Sequence, residues 1–111
     1  INNKIKRKVI AMNARKIKTV NITAKEWFDT VNGNSYFSAE VIINFGKKNS
    51  TSLKIPYQYG YGEHYRDVAF QEIKKQLGCF KKYNIYWIAY QDYNIIDRSV
   101  KHENCKRKDL I

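Results

Sequence analysis

The chain has no long apolar run and is poor in cysteine, proline and glycine. No apolar segment approaches the roughly 20 residues that a membrane-spanning helix needs. The basic residues near the start are not followed by the apolar segment of a signal peptide, so we expect no secretory signal. The only cysteines, Cys79 and Cys105, form no CxxC motif, which favours a reduced compartment and leaves a single disulfide as the alternative.

Motifs for metal binding and catalysis are also scarce. Cys79, His102 and Cys105 would need His64 or an acid as a fourth ligand, so the set is incomplete and we expect no metal site. His64 and Asp67 have the spacing that places two side chains on one helix face. A lone histidine at a helix start is nevertheless more often a surface residue than a catalytic base. We therefore expect no cofactor and favour a non-enzymatic protein.

Tyrosine and positive charge are abundant. The chain has nine tyrosines, and its 21 basic residues exceed its 10 acidic residues to give a formal net charge of +11. Such a charge favours a polyanionic partner, and nucleic acid first, because Lys and Arg neutralise phosphates while exposed aromatic rings stack on bases. The alternative is an ordinary globular protein whose many lysines and asparagines reflect an AT-rich genome.

Two segments alternate apolar and polar residues in the manner of β-strands, residues 36–45 and residues 51–59. The polar residues 46–50 between them predict a hairpin connection. Pro56 cannot donate a backbone hydrogen bond, so the second strand is expected at a sheet edge. With a strand over residues 16–24, this predicts a three-stranded antiparallel meander. In the strand over residues 51–59, the alternation predicts four residues that face the core: Leu53, Ile55, Tyr57 and Tyr59.

The second half of the chain predicts a helix followed by further strand. Residues 63–77 repeat apolar residues at helical spacing, and Gly78 is expected to end the helix. Residues 83–90 predict a strand that is apolar on both faces, and an additional short strand over residues 93–100 is left open. The predicted fold class is α+β: an antiparallel sheet of about four strands (β-β-β-α-β) with one helix packed on one face.

The chain is predicted to form a single domain, residues 1–111, because its length suits one modest core and it contains no linker. Two basic segments flank the core. They are an N-terminal extension, residues 1–15, and a C-terminal tail, residues 101–111.

The predicted binding residues centre on the tyrosine-rich connection before the helix. Tyr61 is the strongest candidate, because it lies between Gly60 and Gly62, and His64 lies close to it. Gly60-Tyr61-Gly62 lacks the third glycine and the Lys-Ser/Thr pair of phosphate-binding loops, and Glu63 would repel an anion. The predicted site comprises Tyr61, His64, Lys47, Lys48, Lys54, Arg66, Lys81 and Lys82. Further stacking candidates are Tyr59, Tyr65, Tyr86, Tyr90 and Tyr93, although Tyr59 and Tyr65 are expected to face the core.

Three segments carry a resemblance to a protein family. They are AKEWFD at residues 24–29, NGNSYFS at residues 32–38 and PYQYGYGEHY at residues 56–65. Across about residues 17–77 the chain resembles small bacteriophage- and prophage-encoded proteins that have no assigned function. The resemblance implies a viral accessory protein that acts in the cytoplasm of a bacterial host.

From composition and resemblance together, we predict a small non-enzymatic accessory protein that binds DNA or RNA through a basic, tyrosine-rich surface. The alternative is an inhibitor of a host defence system, similar in action to anti-CRISPR proteins, that contacts a host defence protein. No membrane partner is expected, and nothing in the sequence predicts an oligomeric state.

Overall fold

A computed structural model describes residues 12–110 of the chain, so the cluster of basic residues in 1–11 lies outside the described residues. The described part confirms the α+β fold class. Two 3₁₀ helices, Ala14–Lys16 and Arg107–Leu110, lie at its ends. Between them the chain forms β1 (Thr19–Asp29), β2 (Asn34–Ile43), β3 (Thr51–Tyr59), α1 (His64–Leu77), α2 (Tyr86–Asp92) and β4 (Ile96–His102).

The four strands form one sheet in the order β3-β2-β1-β4. β2 pairs with both β1 and β3 in antiparallel orientation, which confirms the predicted three-stranded meander. Gly33 permits the tight turn between β1 and β2, because its φ of +72° is readily accessible only to glycine. The expectation of an antiparallel fourth strand is wrong, because β4 pairs with β1 in parallel and makes the sheet mixed.

Helix α1 covers one side of the sheet, as its apolar spacing predicts. Its inward residues, buried together with alternate residues of β1, β2 and β3, are Tyr65, Ala69, Phe70, Ile73 and Leu77. Burying one such side chain stabilises the fold by about 2 kcal/mol. The helix ends as predicted at Gly78, which adopts the left-handed conformation (φ +67°) and donates its N–H to the Lys74 carbonyl.

The predicted strand over residues 83–90 is wrong, because its second half belongs to helix α2. Ala89 and Tyr90 are buried whereas Trp87 and Ile88 are exposed, so the apolar run has one inward face at helical spacing. A short apolar run is compatible with either a strand or a helix. Here it lies in the crossover between β3 and β4, which occupy opposite edges of the sheet, and parallel strands are commonly joined by a helix.

A β-bulge in β3 overturns the prediction that Tyr57 and Tyr59 face the core. On β2, Ser38 alone lies opposite the two β3 residues Pro56 and Tyr57. The extra residue reverses the alternation, so Tyr57 is only half-buried and Tyr59 is 57% exposed. Pro56 does lie in an edge strand, as predicted. Tyr65, expected to face the core from α1, is buried there.

Much of the predicted C-terminal tail, residues 101–111, is attached to the sheet. Its first two residues belong to β4, and the Cys105 N–H then donates to the Glu26 carbonyl at 3.0 Å. The following 3₁₀ helix packs against β1 and β2 on the side opposite α1, and Leu110 is buried there. The tail therefore covers part of the sheet face that α1 leaves uncovered.

Candidate functional site

The side of the sheet opposite α1 is termed the open face. Successive residues of a strand point to opposite sides, so each strand presents alternate residues to this face. Apart from the 3₁₀ helix Arg107–Leu110, no helix of residues 12–110 packs against it. Its main side chains are Thr23, Lys25 and Trp27 of β1, Tyr36, Ser38 and Glu40 of β2, Lys54, Tyr57 and Tyr59 of β3, and Arg98 and Val100 of β4.

Three aromatic rings, termed the aromatic row, stack side by side across the open face. Trp27 on β1 pairs with Tyr36 on β2, and their ring centroids lie 5.6 Å apart. Tyr57 stacks on Tyr36 at 5.2 Å, with the ring planes only 8° apart. Cross-strand aromatic pairs of this kind stabilise a sheet by up to about 1 kcal/mol each. The row is therefore a rigid feature of the folded sheet.

Two further tyrosines extend the row beyond the edge of the sheet. The Tyr59 ring meets Tyr36 edge to face at 6.0 Å, and the Tyr61 ring meets Tyr59 in the same way at 6.4 Å. Tyr61 is 67% exposed. Each edge-to-face contact covers one face of one of the two rings, and Tyr59 and Tyr61 keep more than half of their surface exposed, so ring surface remains available to a ligand.

Three cationic side chains lie on the open face at increasing distance from the aromatic row: Lys25 is two residues from Trp27 on β1, Lys54 lies opposite Glu40, and Arg98 lies beside Asn21, about 20 Å along the sheet from Trp27. Lys25, Lys54 and Arg98 are all exposed, and each lies on a different strand of the open face. Among residues 12–110, salt bridges involve only two basic side chains, Arg66 and Lys101, and neither belongs to this group. None of the three therefore forms a salt bridge within the described residues, although Glu40 lies opposite Lys54 across the β2–β3 pair.

A groove of about 540 Å³ runs over the open face between the C-terminal 3₁₀ helix and β3. Lys25 and Lys54 line it, as do two acids, Glu40 and Asp109. The acids are engaged in local hydrogen bonds: Glu40 accepts one from the Ser52 hydroxyl, and Asp109 accepts one from the Lys106 N–H. The groove thus contains two lysine amines that form no salt bridge, together with two carboxylates that keep their charge, so its four charged side chains balance.

A second cavity, termed the corner pocket, lies where β3 passes into α1. It has a volume of about 410 Å³ and is lined by Tyr59, Gly60, Tyr61, Glu63, His64, Asp67 and Tyr86. Gly60 is essential to its shape: a Cβ there would lie 2.6 Å from Phe37 Cε1 and 2.8 Å from His64 Cδ2. The His64 ring packs edge to face on Phe37, so the buried core supports this wall of the pocket.

Arg66 is occupied by the protein's own acids, in contrast to its predicted role as a phosphate ligand. Its guanidinium contacts Glu63 at 3.0 Å, forms a second salt bridge with Asp97, and lies over the Tyr86 ring at 4.9 Å from the centroid. Burial opposes the charge of Arg66, but the hydrogen bonds to Asp97 and Glu63 outweigh it and raise the pKa further. Arg66 therefore joins α1 to β4.

The remaining predicted site residues fall into separate regions. Tyr61 and His64 share the corner pocket, and Lys54 lies on the open face. Lys47 and Lys48 lie in the connection between β2 and β3, and Lys81 and Lys82 follow the C-terminal end of α1. His64 begins that 14-residue helix, so Lys81 and Lys82 lie beyond its far end, about 20 Å away.

The other predicted stacking tyrosines differ in position and exposure. Tyr59 and Tyr86 line the corner pocket. Tyr93 is half-buried, and Tyr65 and Tyr90 are buried.

Four open-face residues were not predicted from the sequence as binding residues: Trp27, Tyr36, Lys25 and Arg98. Trp27 and Tyr36 pair because the connection closes at Asp29 and Asn34, whereas Trp27 lies five residues before Asn32 and Tyr36 only three after Gly33, so the Asn-Gly signal alone does not give their register. No local signal exists for Arg98 either, because its position depends on the parallel pairing of β4 with β1.

The described residues provide little for covalent chemistry. Both cysteines are free thiols, and burial raises the pKa of Cys79 to about 11, which disfavours the reactive thiolate. In the range 12–110, no three His, Cys, Asp or Glu side chains gather in a metal-binding arrangement.

Comparisons with known proteins identify no relative of this chain. Within residues 12–110, no helix has both the length and the apolar character that crossing a membrane requires. Searches of protein-family models, curated proteins and solved structures find no match to this chain.

Proposed function

We propose that this protein binds single-stranded nucleic acid across the open face of its sheet. The observation that carries the proposal is the aromatic row of Trp27, Tyr36 and Tyr57 on the same face of the sheet as three exposed cations, Lys25, Lys54 and Arg98, none of which forms a salt bridge among residues 12–110. Proteins that hold single strands combine aromatic stacking platforms with a positively charged groove. Both elements occur together on this one face.

The rings of the open face have two different roles in this proposal. Trp27, Tyr36 and Tyr57 use their faces on one another, so they present ring edges and hold the platform rigid. Tyr59 and Tyr61 are the most exposed rings of this surface and make no face-to-face stack with another ring of residues 12–110, and they are the side chains on which unpaired bases stack. Bases of a duplex are already stacked on each other, so this arrangement favours a single strand.

The charge of the described residues supports an anionic partner. Residues 12–110 contain 17 basic side chains, of which only Arg66 and Lys101 form salt bridges. Lysines of the open-face groove are placed to contact phosphates while the neighbouring rings contact bases. Bound at this face, a strand would receive sequence-independent affinity from the phosphates and orientation from the rings.

The resemblance to phage and prophage proteins supplies the setting of the proposal. In that setting the protein is a non-enzymatic viral accessory protein, and it acts on DNA or RNA in the cytoplasm of a bacterial host. The open-face chemistry accepts either polymer, because aromatic stacking and phosphate contacts do not require a 2′-hydroxyl.

Fluorescence anisotropy with labelled single strands of about 10 nucleotides, in DNA and RNA form, tests the proposal. We expect binding at low salt that weakens by about 20-fold between about 50 and 200 mM, as three phosphate contacts with a single strand require. Matched duplexes are expected to bind more weakly than single strands. Absence of binding to every strand at low salt would reject the proposed function.

A second candidate function is inhibition of a host defence protein through helix α2. Ile85, Trp87 and Ile88 at this helix are 41%, 56% and 36% exposed, and exposed aromatic and aliphatic side chains are typical of protein interfaces. Affinity capture from a phage-sensitive bacterium, with Trp87→Ala as the matched bait, tests this candidate. It requires recovery of a defence nuclease with the unaltered protein and its loss with the variant.

A further inference from the structure

We propose that the corner pocket selects an unpaired guanine base from the bound strand. This inference deepens the proposed function and rests on it, because the base reaches the pocket only as part of a strand on the open face. The pocket is the place where the aromatic surface ends and hydrogen-bonding groups begin. It therefore supplies the sequence preference that the open face itself lacks.

The pocket is continuous with the aromatic row. Tyr59 touches Tyr36 of the row on one side and Tyr61 on the other, and both Tyr59 and Tyr61 line the pocket. A strand lying along the row thus arrives at the pocket without leaving aromatic contact. The volume of about 410 Å³ is ample for one base, and three tyrosine rings bound it.

Asp67 is the group that distinguishes one base from another. Both Asp67 and Glu63 line the pocket, but the Glu63 carboxylate is held by the Arg66 guanidinium at 3.0 Å. Asp67 is exposed, and none of the salt bridges or side-chain hydrogen bonds among residues 12–110 involves it. Its two oxygens are acceptors only, so it favours a ligand that presents two neighbouring N–H donors.

Guanine is the base that meets this requirement. Its Watson–Crick edge carries the N1–H and the N2 amino group side by side, which matches the two oxygens of one carboxylate. Adenine and cytosine offer one amino group beside a ring acceptor, and uracil offers one N–H between two carbonyls, so each places an acceptor against the carboxylate. Tyr59, Tyr61 and Tyr86 line the same cavity, and a tyrosine hydroxyl can donate a hydrogen bond to guanine O6.

The core fixes the pocket wall before a ligand arrives. Gly60 leaves no room for a side chain between Phe37 and His64, and the His64 ring is packed edge to face on Phe37 at 6.1 Å. Phe37 is 2% exposed, so the wall is anchored in the hydrophobic core. A site formed in advance loses less conformational entropy when it binds.

The test uses single strands of oligouridine in which one central base is guanine, adenine, cytosine or hypoxanthine, with the all-uridine strand as the reference. We expect the guanine strand to bind about tenfold more tightly than the others, the effect of one good bidentate contact. Hypoxanthine lacks the N2 amino group and is expected to lose most of that advantage. In Asp67→Asn the preference should disappear while all-uridine binding is retained.

Glu72→Gln is the matched control, because it removes one carboxylate from α1 outside the pocket and should keep the guanine preference. Equal affinity for all five strands would overturn this inference and leave the proposed function intact. Absence of binding to every strand would reject both. A further outcome is that an arginine-bearing peptide binds more tightly than the guanine strand and loses this binding in Asp67→Asn. That result would reassign the pocket to a protein partner.

Discussion

The rings of Tyr36 and Tyr57 lie 5.2 Å apart with their planes 8° from parallel, on the face of the sheet that α1 does not cover. This contact exists because Pro56 and Tyr57 together lie opposite Ser38, which turns Tyr57 away from the core. A bulge at one proline therefore decides whether the tyrosine-rich strand fills the interior or builds a binding surface.

Removing Tyr57 is expected to weaken the binding of single strands. Tyr57→Ala deletes one ring of the aromatic row and withdraws support from Tyr36, which the base-stacking Tyr59 contacts edge to face; a base-stacking contact contributes about 1–3 kcal/mol. We expect an affinity loss of about tenfold, measured by fluorescence anisotropy at fixed salt. Trp87→Ala is the control, because it removes an exposed aromatic ring from α2. Equal losses in the two variants would contradict a role for the row.

Neutralising Lys54 is expected to change the salt dependence of binding, because Lys54 lines the groove of the open face. In Lys54→Gln the slope of log affinity against log salt should become shallower by about 0.7, the value for one phosphate contact with a single strand. Lys81→Gln makes the same change in net charge at a connection beyond α1 and should leave the slope unchanged. Identical slopes in the two variants would show that only net charge matters.

Asn44 is expected to be a major determinant of stability. Its side chain is fully buried, accepts from the Lys18 N–H at 2.7 Å and donates to the Lys16 carbonyl at 2.9 Å. Its φ of +56° also suits asparagine better than alanine. We expect Asn44→Ala to lower the free energy of unfolding by about 2–4 kcal/mol, because it leaves buried backbone groups unsatisfied.

Urea denaturation measures this change. Asn49→Ala, an exposed asparagine in the same connection, is the control and should change stability by less than about 0.5 kcal/mol. Asn44→Gly keeps the positive φ without strain, so it isolates the hydrogen bonds. A stability of Asn44→Gly equal to that of the unaltered protein would show that conformation alone makes the asparagine necessary.

Asp29 is expected to make stability depend on pH in the acid range. The side-chain hydrogen bond from Asn32 lowers the pKa of Asp29 below its ordinary value of 3.8; burial opposes this shift, and the backbone N–H groups of Asn32 and Val31 add to it. A carboxyl with a lowered pKa stabilises the fold above its unfolded-state pKa, and this contribution is lost as the pH falls through the folded-state value.

Asp29→Asn keeps an acceptor oxygen and removes the charge, so comparison of the two proteins isolates the titration. We expect the unaltered protein to have the higher Tm at neutral pH, and the difference to shrink as the pH falls below about 4. Thermal unfolding followed by circular dichroism measures both. A difference in Tm that stays constant down to strongly acidic pH would contradict the expected titration.

The parts of the fold that local patterns determine were predictable from the sequence. Residues 63–77 combine apolar spacing with a glycine stop, and helix α1 with its left-handed Gly78 follows from these two features. The meander likewise follows from two alternating segments joined by short polar connections. In each case the pattern and its boundaries point to the same structure.

The failures arise where tertiary structure overrides the local pattern. Strict alternation continues through Tyr57 and Tyr59 in the sequence, and only the pairing with β2 introduces the bulge that turns these side chains over. Residues 83–90 have no feature that separates a short strand from a helix, and the crossover to β4 selects the helix. Arg98 reaches the open face through that same crossover, so the candidate site was only partly predictable.

The position of a bound strand on the protein is the most direct test of the central claim. Backbone and side-chain NMR signals are followed while a single strand of about 10 nucleotides is added. We predict the largest shifts at Lys25, Lys54, Tyr57 and Arg98 on the open face, with Trp87 and Lys81 unaffected. Shifts concentrated at α2 and the connection after α1, with the open face unchanged, would contradict the account.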